Sequence, residues 1–363
     1  MEIKKNWTEE KGLFLAIAIL SVFVIALFIY VYAPQLGGYA LKSTGARQYS
    51  IGIIEITGDC EDCFDTNALA DALIKENNLK IKSRETLSYK SQKAEEIINK
   101  YSIRKIPALV VLSRNIEKIG IDEQVFSIKN NYAIFDKSVP YVDLETNEVK
   151  GLVQLKEIQS DNCIECTPLL QLEKQFEGLG VKVKDYEIIS SSSDRGREFI
   201  EKNDLEFTSS LLISKDIEEY WWIFDQIRDS LIEKEDNYVF KIPFAPYVNL
   251  SDGKIKGKVE IIFIKNKSCE DCFDVNELKD SFMSLGVYFE KEKNADISSN
   301  EGKNLMKKYN ITAIPTIILS REIQDYDTIK KMLEQVGTFE EDGRFVFRKL
   351  DSLNVKYQET NKN

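Results

Sequence analysis

A chain of 363 residues is longer than a typical single domain, and at about 150 residues per domain it holds two or three folding units. Hydrophobic residues at 43%, charged residues at 30%, and only 17 Gly and 7 Pro exclude a collagen-like or wholly disordered chain. The 49 Lys and Arg against 60 Asp and Glu leave a net charge of -11, so no nucleic acid is expected as partner, and the absence of histidine removes Ser-His-Asp and Cys-His catalysis and histidine-ligated metals.

The first element is an apolar run from Leu13 to Tyr32, 20 residues without a charge, which as a helix spans about 30 Å. It predicts a transmembrane helix over 13–32, after a cytoplasmic segment 1–12 and before a linker 33–47. A secretory signal has a shorter apolar stretch of about 7–15 residues, which favours an uncleaved signal anchor. Cleavage near Ala40 and a buried core helix are the alternatives. Lys4, Lys5 and Lys11 precede the span while Lys42 and Arg47 follow it, an excess that sets the N-terminus in the cytoplasm and the rest outside.

Beyond the linker the chain repeats itself. Cys-x-x-Cys pairs begin at Cys60, Cys163 and Cys269, 103 and 106 residues apart, a period of about one domain. Each follows an apolar strand pattern that opens near Ile51, Leu152 and Val259. Downstream, Tyr101–Ser113 matches Tyr309–Ser320, both with Ile-Pro, and the middle copy offers Asn203–Ser214, with Ser209 or Thr208 in place of the proline. The Pro-Tyr-Val segments at Pro140 and Pro246 read as connectors, each closing at a glycine, Gly151 and Gly257. These matches set units at 48–150, 151–257 and 258–350, with a frayed tail at 351–363.

Within a unit the pattern reads strand, cysteine pair, helix (67–76 or 275–285), strand, helix (94–101 or 301–309), then a strand opened by Ile-Pro. In the third unit a helix over 326–336 and a hairpin through Glu340–Gly343 follow. Strands alternating with helices predict an α/β fold with a central sheet. Each unit resembles the thioredoxin-fold family, carried by Cys60-Glu61-Asp62-Cys63 with Ile106-Pro107, by Cys269-Glu270-Asp271-Cys272 with Ile314-Pro315, and in the middle by Cys163-Ile164-Glu165-Cys166 alone. The expected architecture is three tandem thioredoxin-like domains behind one transmembrane helix, the second degenerate. No tryptophan precedes the cysteines, the residues between them are acidic, and the family usually places the hairpin before the last helix.

The resemblance implies cis Pro107 and Pro315 beside the cysteines, with Ile106 and Ile314 offering backbone to an extended substrate peptide. A cysteine at a helix N-terminus has its thiolate stabilised, which casts Cys60, Cys163 and Cys269 as attacking and Cys63, Cys166 and Cys272 as resolving thiols. Glu61, Asp62, Glu270 and Asp271 oppose that stabilisation and favour a reducing couple.

The expected activity is thiol–disulfide exchange of reductase or isomerase type on exported or membrane proteins, by a membrane-anchored enzyme with no cofactor beyond its redox disulfides. A membrane partner with redox-active cysteines would recharge it. The alternative is a non-catalytic binding scaffold with structural disulfides. Zinc needs four ligands and would have to be shared between units. In the aromatic cluster Tyr220-Trp221-Trp222, adjacent tryptophans on a helix point about 100° apart, one to the core and one outward.

Overall fold

The computed structural model describes residues 48–360 apart from Gln124 and Thr167, and the apolar run 13–32 lies outside the described residues. Among the described residues no helix is long and apolar enough to cross a membrane.

In the first unit β1 (Ser50–Thr57) passes through the cysteine turn to α1 (Thr66–Glu76), followed by β2 (Lys80–Ser88), α2 (Gln92–Tyr101), β3 (Lys105–Ile106) and β4 (Ala108–Leu112). A short 3-10 turn, the hairpin β5 (Ser127–Lys129) and β6 (Tyr132–Phe135), and a second hairpin of β7 (Tyr141–Asp143) and β8 (Val149–Lys150) complete it. The second unit runs β9 (Val153–Gln159), α3 (Leu170–Gly178), β10 (Val183–Ser190), α4 (Asp194–Asn203), β11 (Ser210–Ser214), α5 (Trp221–Ile227), β12 (Leu231–Glu233), β13 (Asn237–Phe240), β14 (Tyr247–Val248) and β15 (Ile255–Lys256). The third runs β16 (Val259–Lys265), α6 (Asn276–Ser284), β17 (Phe289–Asp296), α7 (Asn300–Lys308), β18 (Ala313–Ile314), β19 (Thr316–Leu319), α8 (Asp327–Val336), β20 (Gly337–Phe339), β21 (Phe345–Phe347) and β22 (Gln358–Glu359).

Among the described residues three five-stranded sheets share one order: β2-β1-β4-β6-β5, β10-β9-β11-β13-β12 and β17-β16-β19-β21-β20. In each, the strand that leads into the cysteines is parallel to the next strand and antiparallel to the one that follows the Ile-Pro position. The strands β4, β11 and β19 are almost continuously apolar because both faces are covered, whereas β9 alternates apolar and polar residues. Ile51 and Ile53 of β1 face one core cluster and Ile56 faces another across the sheet. The second helix of every unit starts on a serine N-cap, Ser91, Ser193 or Ser299, whose hydroxyl accepts a backbone N–H three residues on. In the third unit α8 precedes the β20–β21 hairpin, the order read from the sequence.

The Pro-Tyr-Val segments do more than connect. Tyr141–Asp143 and Tyr247–Val248 are strands, and so is Gln358–Glu359 in the tail expected to fray. Tyr357 and Val355 pack against the third core, and that burial holds the tail down.

Consecutive units meet at a repeated joint. Gly151 and Gly257 have φ of 81° and 79°, and a Cβ there would lie 2.4 Å from Val139 Cγ1 or 2.6 Å from Ala245 Cβ. Their N–H groups donate to Asp216 and Asp325, both at 2.8 Å. Their carbonyls accept from the hydroxyls of Tyr220 (2.7 Å) and Tyr326 (2.8 Å). Those hydroxyls in turn accept the N–H groups of Lys182 and Tyr288, both at 2.9 Å. Of the neighbouring tryptophans, Trp222 packs into the second core and Trp221 is 61% exposed.

Candidate functional site

The three cysteine pairs are disulfide-bonded, with Cα atoms 5.3, 5.3 and 5.5 Å apart. Each lies in a turn that leaves the end of the central strand, and in the first two turns the second cysteine donates its N–H to the carbonyl of the first, at 3.3 and 3.4 Å. Cys60, Cys63, Cys269 and Cys272 are half-buried, whereas Cys163 and Cys166 are 4% and 3% exposed.

The expectation that the first cysteine sits at a helix N-terminus is corrected by this geometry. The helices begin at Thr66, Leu170 and Asn276, beyond the second cysteine in every unit. In the first unit Asp65 is the N-cap and accepts the N–H of Asn67 at 2.9 Å; in the third Val275 takes the cap position and Asp274 before it accepts the N–H of Asn276 at 3.1 Å. A helix dipole is felt mainly within its first turn, so the first sulfur gains little from it.

The Ile106–Pro107 and Ile314–Pro315 bonds are cis. Ile106 belongs to the cluster against which Cys60 and Cys63 pack, which brings the first pair and its Ile-Pro strand together. In the second unit the sheet register sets Ser209, rather than Thr208, at the position of Pro107. Ser209 is fully buried with φ of 55°, and its hydroxyl has no partner.

The edge expected to receive a substrate peptide is occupied by the chain itself. In the first unit Val142 lies opposite Ile106 and Asp143 opposite Lys105, and Phe64, next to Cys63, donates its N–H to Pro140 O at 3.1 Å. In the third unit Gln358 lies opposite Ile314 and Glu359 opposite Ala313, and Phe273, next to Cys272, donates to Lys356 O at 3.0 Å. In the second, Thr208 donates to Val248 O at 2.9 Å and Phe207 bridges Asn249.

The acid before each second cysteine is ion-paired to a lysine from the segment that follows. Asp62 meets Lys182 at 2.9 Å, Glu165 meets Lys258 at 3.0 Å and Asp271 meets Lys356 at 2.9 Å. The sequence presents Asp62 and Asp271 as uncompensated charges, because no local pattern reveals partners so far along the chain.

Two functional candidates were missed. Glu55 and Glu157 are fully buried on the central strands, at matching register, with one carboxylate oxygen of each unpartnered. Glu55 accepts from Arg84 at 2.7 Å, and Arg84 also reaches Asp71 on α1. Glu157 accepts the N–H of Leu169 at 3.1 Å and the hydroxyl of Tyr186. Burial pushes the Glu157 carboxyl up, against the lowering effect of those two donors. For Glu55 the signal was a carboxylate inside a mostly apolar strand, which in a core needs a reason; the alternating β9 gave no such signal for Glu157. The third unit has Phe263 in this position. Among the described residues no group of three or more Cys, Asp or Glu is placed to hold a metal ion.

No protein-family model and no curated protein matches the chain. Among solved structures it is similar to ERdj5, at 10% identity and a TM-score of 0.16, over 88% of this chain and 41% of that one. Human ERp44 aligns at 9% identity and TM-score 0.13, over 84% and 92% of the two chains. The NTD_N/C domain of alkylhydroperoxide reductase AhpF from Enterococcus faecalis aligns at 15% and 0.16, over 46% and 81%. The chain thus spans less than half the length of the ERdj5 chain it aligns with.

Proposed function

We propose that the chain is a membrane-anchored thiol–disulfide oxidoreductase of reductase or isomerase type, built from three tandem thioredoxin-like domains and acting on protein disulfides outside the cytoplasm. The observation that carries this reading is the difference between units: half-buried cysteines accompany cis Ile-Pro in the first and third, while the unit that lacks the proline has buried sulfurs. Cys60 and Cys269 are the attacking thiols and Cys63 and Cys272 the resolving ones. In reduction, the thiolate of the first cysteine attacks one sulfur of a substrate disulfide and the other substrate sulfur leaves as thiolate. The second cysteine then attacks the mixed disulfide, releases the second substrate thiolate and closes the enzyme disulfide. Two electrons pass to the substrate, and a membrane dithiol partner returns them. The uncleaved 13–32 anchor keeps this chemistry at the membrane surface. Cys163–Cys166 is assigned a structural role.

A redox titration with alkylated thiols counted per peptide tests the reading. Cys60–Cys63 and Cys269–Cys272 should equilibrate between about -300 and -180 mV, while Cys163–Cys166 stays oxidised. If all three pairs remain oxidised below that range and resist alkylation, the disulfides are structural and the chain is a scaffold.

A further inference from the structure

The strands that cover the first and third sites are held differently. In the first unit β7 pairs with β8 as well as β3, and the chain then enters the joint at Gly151, so the cover cannot leave without opening the contact between units. In the third unit β22 pairs only with β18 among the described residues. Its other ties include the exposed Lys356–Asp271 pair, the Phe273 N–H donating to Lys356 O at 3.0 Å, the Asn266 amide donating to the Gln358 side chain at 2.8 Å, the Thr360 N–H donating to Thr312 O at 2.7 Å, the Thr360 hydroxyl donating to Ile311 O at 3.1 Å, and half-buried Tyr357. Exposed ion pairs contribute only about 0–1 kcal/mol, and segments so held open far more readily than a core strand.

We propose that Lys356–Thr360 is a displaceable strap on the peptide-binding edge of the third unit, and that its own chemistry describes what replaces it. The incoming partner is an extended segment with a basic residue followed by an aromatic one. The basic residue replaces Lys356 at Asp271, the aromatic ring replaces Tyr357, and the next residue pairs with Ile314. This rests on the oxidoreductase reading, because the edge serves exchange only if Cys269 reacts.

The probe is a labelled hexapeptide, acetyl-Val-Lys-Tyr-Gln-Glu-Thr-amide, added to the full chain and to full-length Gln358→Pro and Lys356→Glu variants. Both variants should bind it at least about tenfold more tightly than the unaltered chain, and a peptide with Glu for Lys should bind them more weakly. In both variants the Thr360 amide should exchange faster with solvent, and reduced Cys269 should be alkylated several-fold faster while Cys60 is unchanged. No gain in peptide binding in either variant, or Cys269 reactivity unmoved in both, overturns the strap. Peptide binding with no mixed disulfide trapped by Cys272→Ala leaves the strap standing and removes the oxidoreductase reading.

Discussion

Replacing Tyr220 with Phe removes one hydroxyl and keeps the ring, which isolates the joint between the first two units. That hydroxyl donates to Gly151 O at 2.7 Å and accepts from the Lys182 N–H at 2.9 Å, at a residue with no exposed surface. A neutral hydrogen bond contributes about 1 kcal/mol net, and a buried group left unpaired costs about 1–3 kcal/mol, so two lost bonds should remove roughly 2–3 kcal/mol. Trp222, whose ring lies 5.5 Å from that of Tyr220, makes tryptophan fluorescence a local reporter of this unit's unfolding in urea. The Lys182 amide should also exchange faster with solvent. Burial raises the Tyr220 and Tyr326 hydroxyls to about 12. A folded value above the ordinary one near 10 means that their contribution is complete below pH ~10 and is lost as the pH rises through about 12. The Tyr220→Phe chain should therefore show a smaller loss across that window. A cost below about 0.5 kcal/mol with Lys182 protection intact would refute the clamp.

Cys63→Ala and Cys272→Ala should accumulate mixed disulfides with exported proteins, read by non-reducing electrophoresis, and Cys166→Ala should trap none because Cys163 is 4% exposed. Gly257→Ala combines a φ of 79° with a Cβ contact of 2.6 Å to Ala245 and should cost about 2 kcal/mol in urea unfolding, more than the same change at Gly253, where a Cβ meets open space. Asp296 is held down to about 2 by the Ser298 hydroxyl and by N–H groups including that of Lys267, just ahead of Cys269. A depressed carboxylate acts above its ordinary range and is lost only as the pH falls through about 2, so after correction for intrinsic exchange the Lys267 amide should keep its protection from pH ~7 to ~4. Asp296→Asn should lower that protection at every pH.

What the sequence made legible was local. Strands around Ile53 and Ile262, the helices that alternate with them and the Ile-Pro opening of a buried strand all follow from periodicity and residue type within about ten positions. Even the hairpin at Glu340–Gly343, which departs from the resembled family, was readable from its turn residues. What escaped reading depends on long-range pairing. Val142 against Ile106 and Gln358 against Ile314 join segments that carry no mutual pattern, so Pro-Tyr-Val looked like a connector and the tail looked loose. The helix starts near residues 67 and 275 were legible too, and what failed was the assignment of the first cysteines to the pole of those helices. Asp65 caps its helix two residues after Cys63, and a cap in that place sets the helix dipole beyond the sulfurs.

That displacement changes what sets the first pair's potential. With the helix pole capped by Asp65, the fixed charges beside the pair in sequence are those of Asp59, ion-paired to Lys90, of Glu61, and of Asp62 with its partner Lys182. Lys182 and Asp62 are both about half exposed, so their field on the sulfurs is screened, and one charge at about 7 Å in water amounts to about 0.6 kcal/mol. Lys182 favours thiolate, hence the reduced form, and removing it should make Cys60–Cys63 more reducing by roughly 13 mV, since 30 mV corresponds to about 1.4 kcal/mol. The effect requires thiolate to be populated. It should be present at pH ~9, above the ordinary thiol value near 8.5, and vanish at pH ~6. Potentials of Lys182→Ala measured against glutathione at both pH values decide the matter. An equal shift at the two pH values would mean that Lys182 acts through the packing of the units and not through its charge, and no shift at pH ~9 would mean that the second unit has no electrostatic hold on the chemistry of the first.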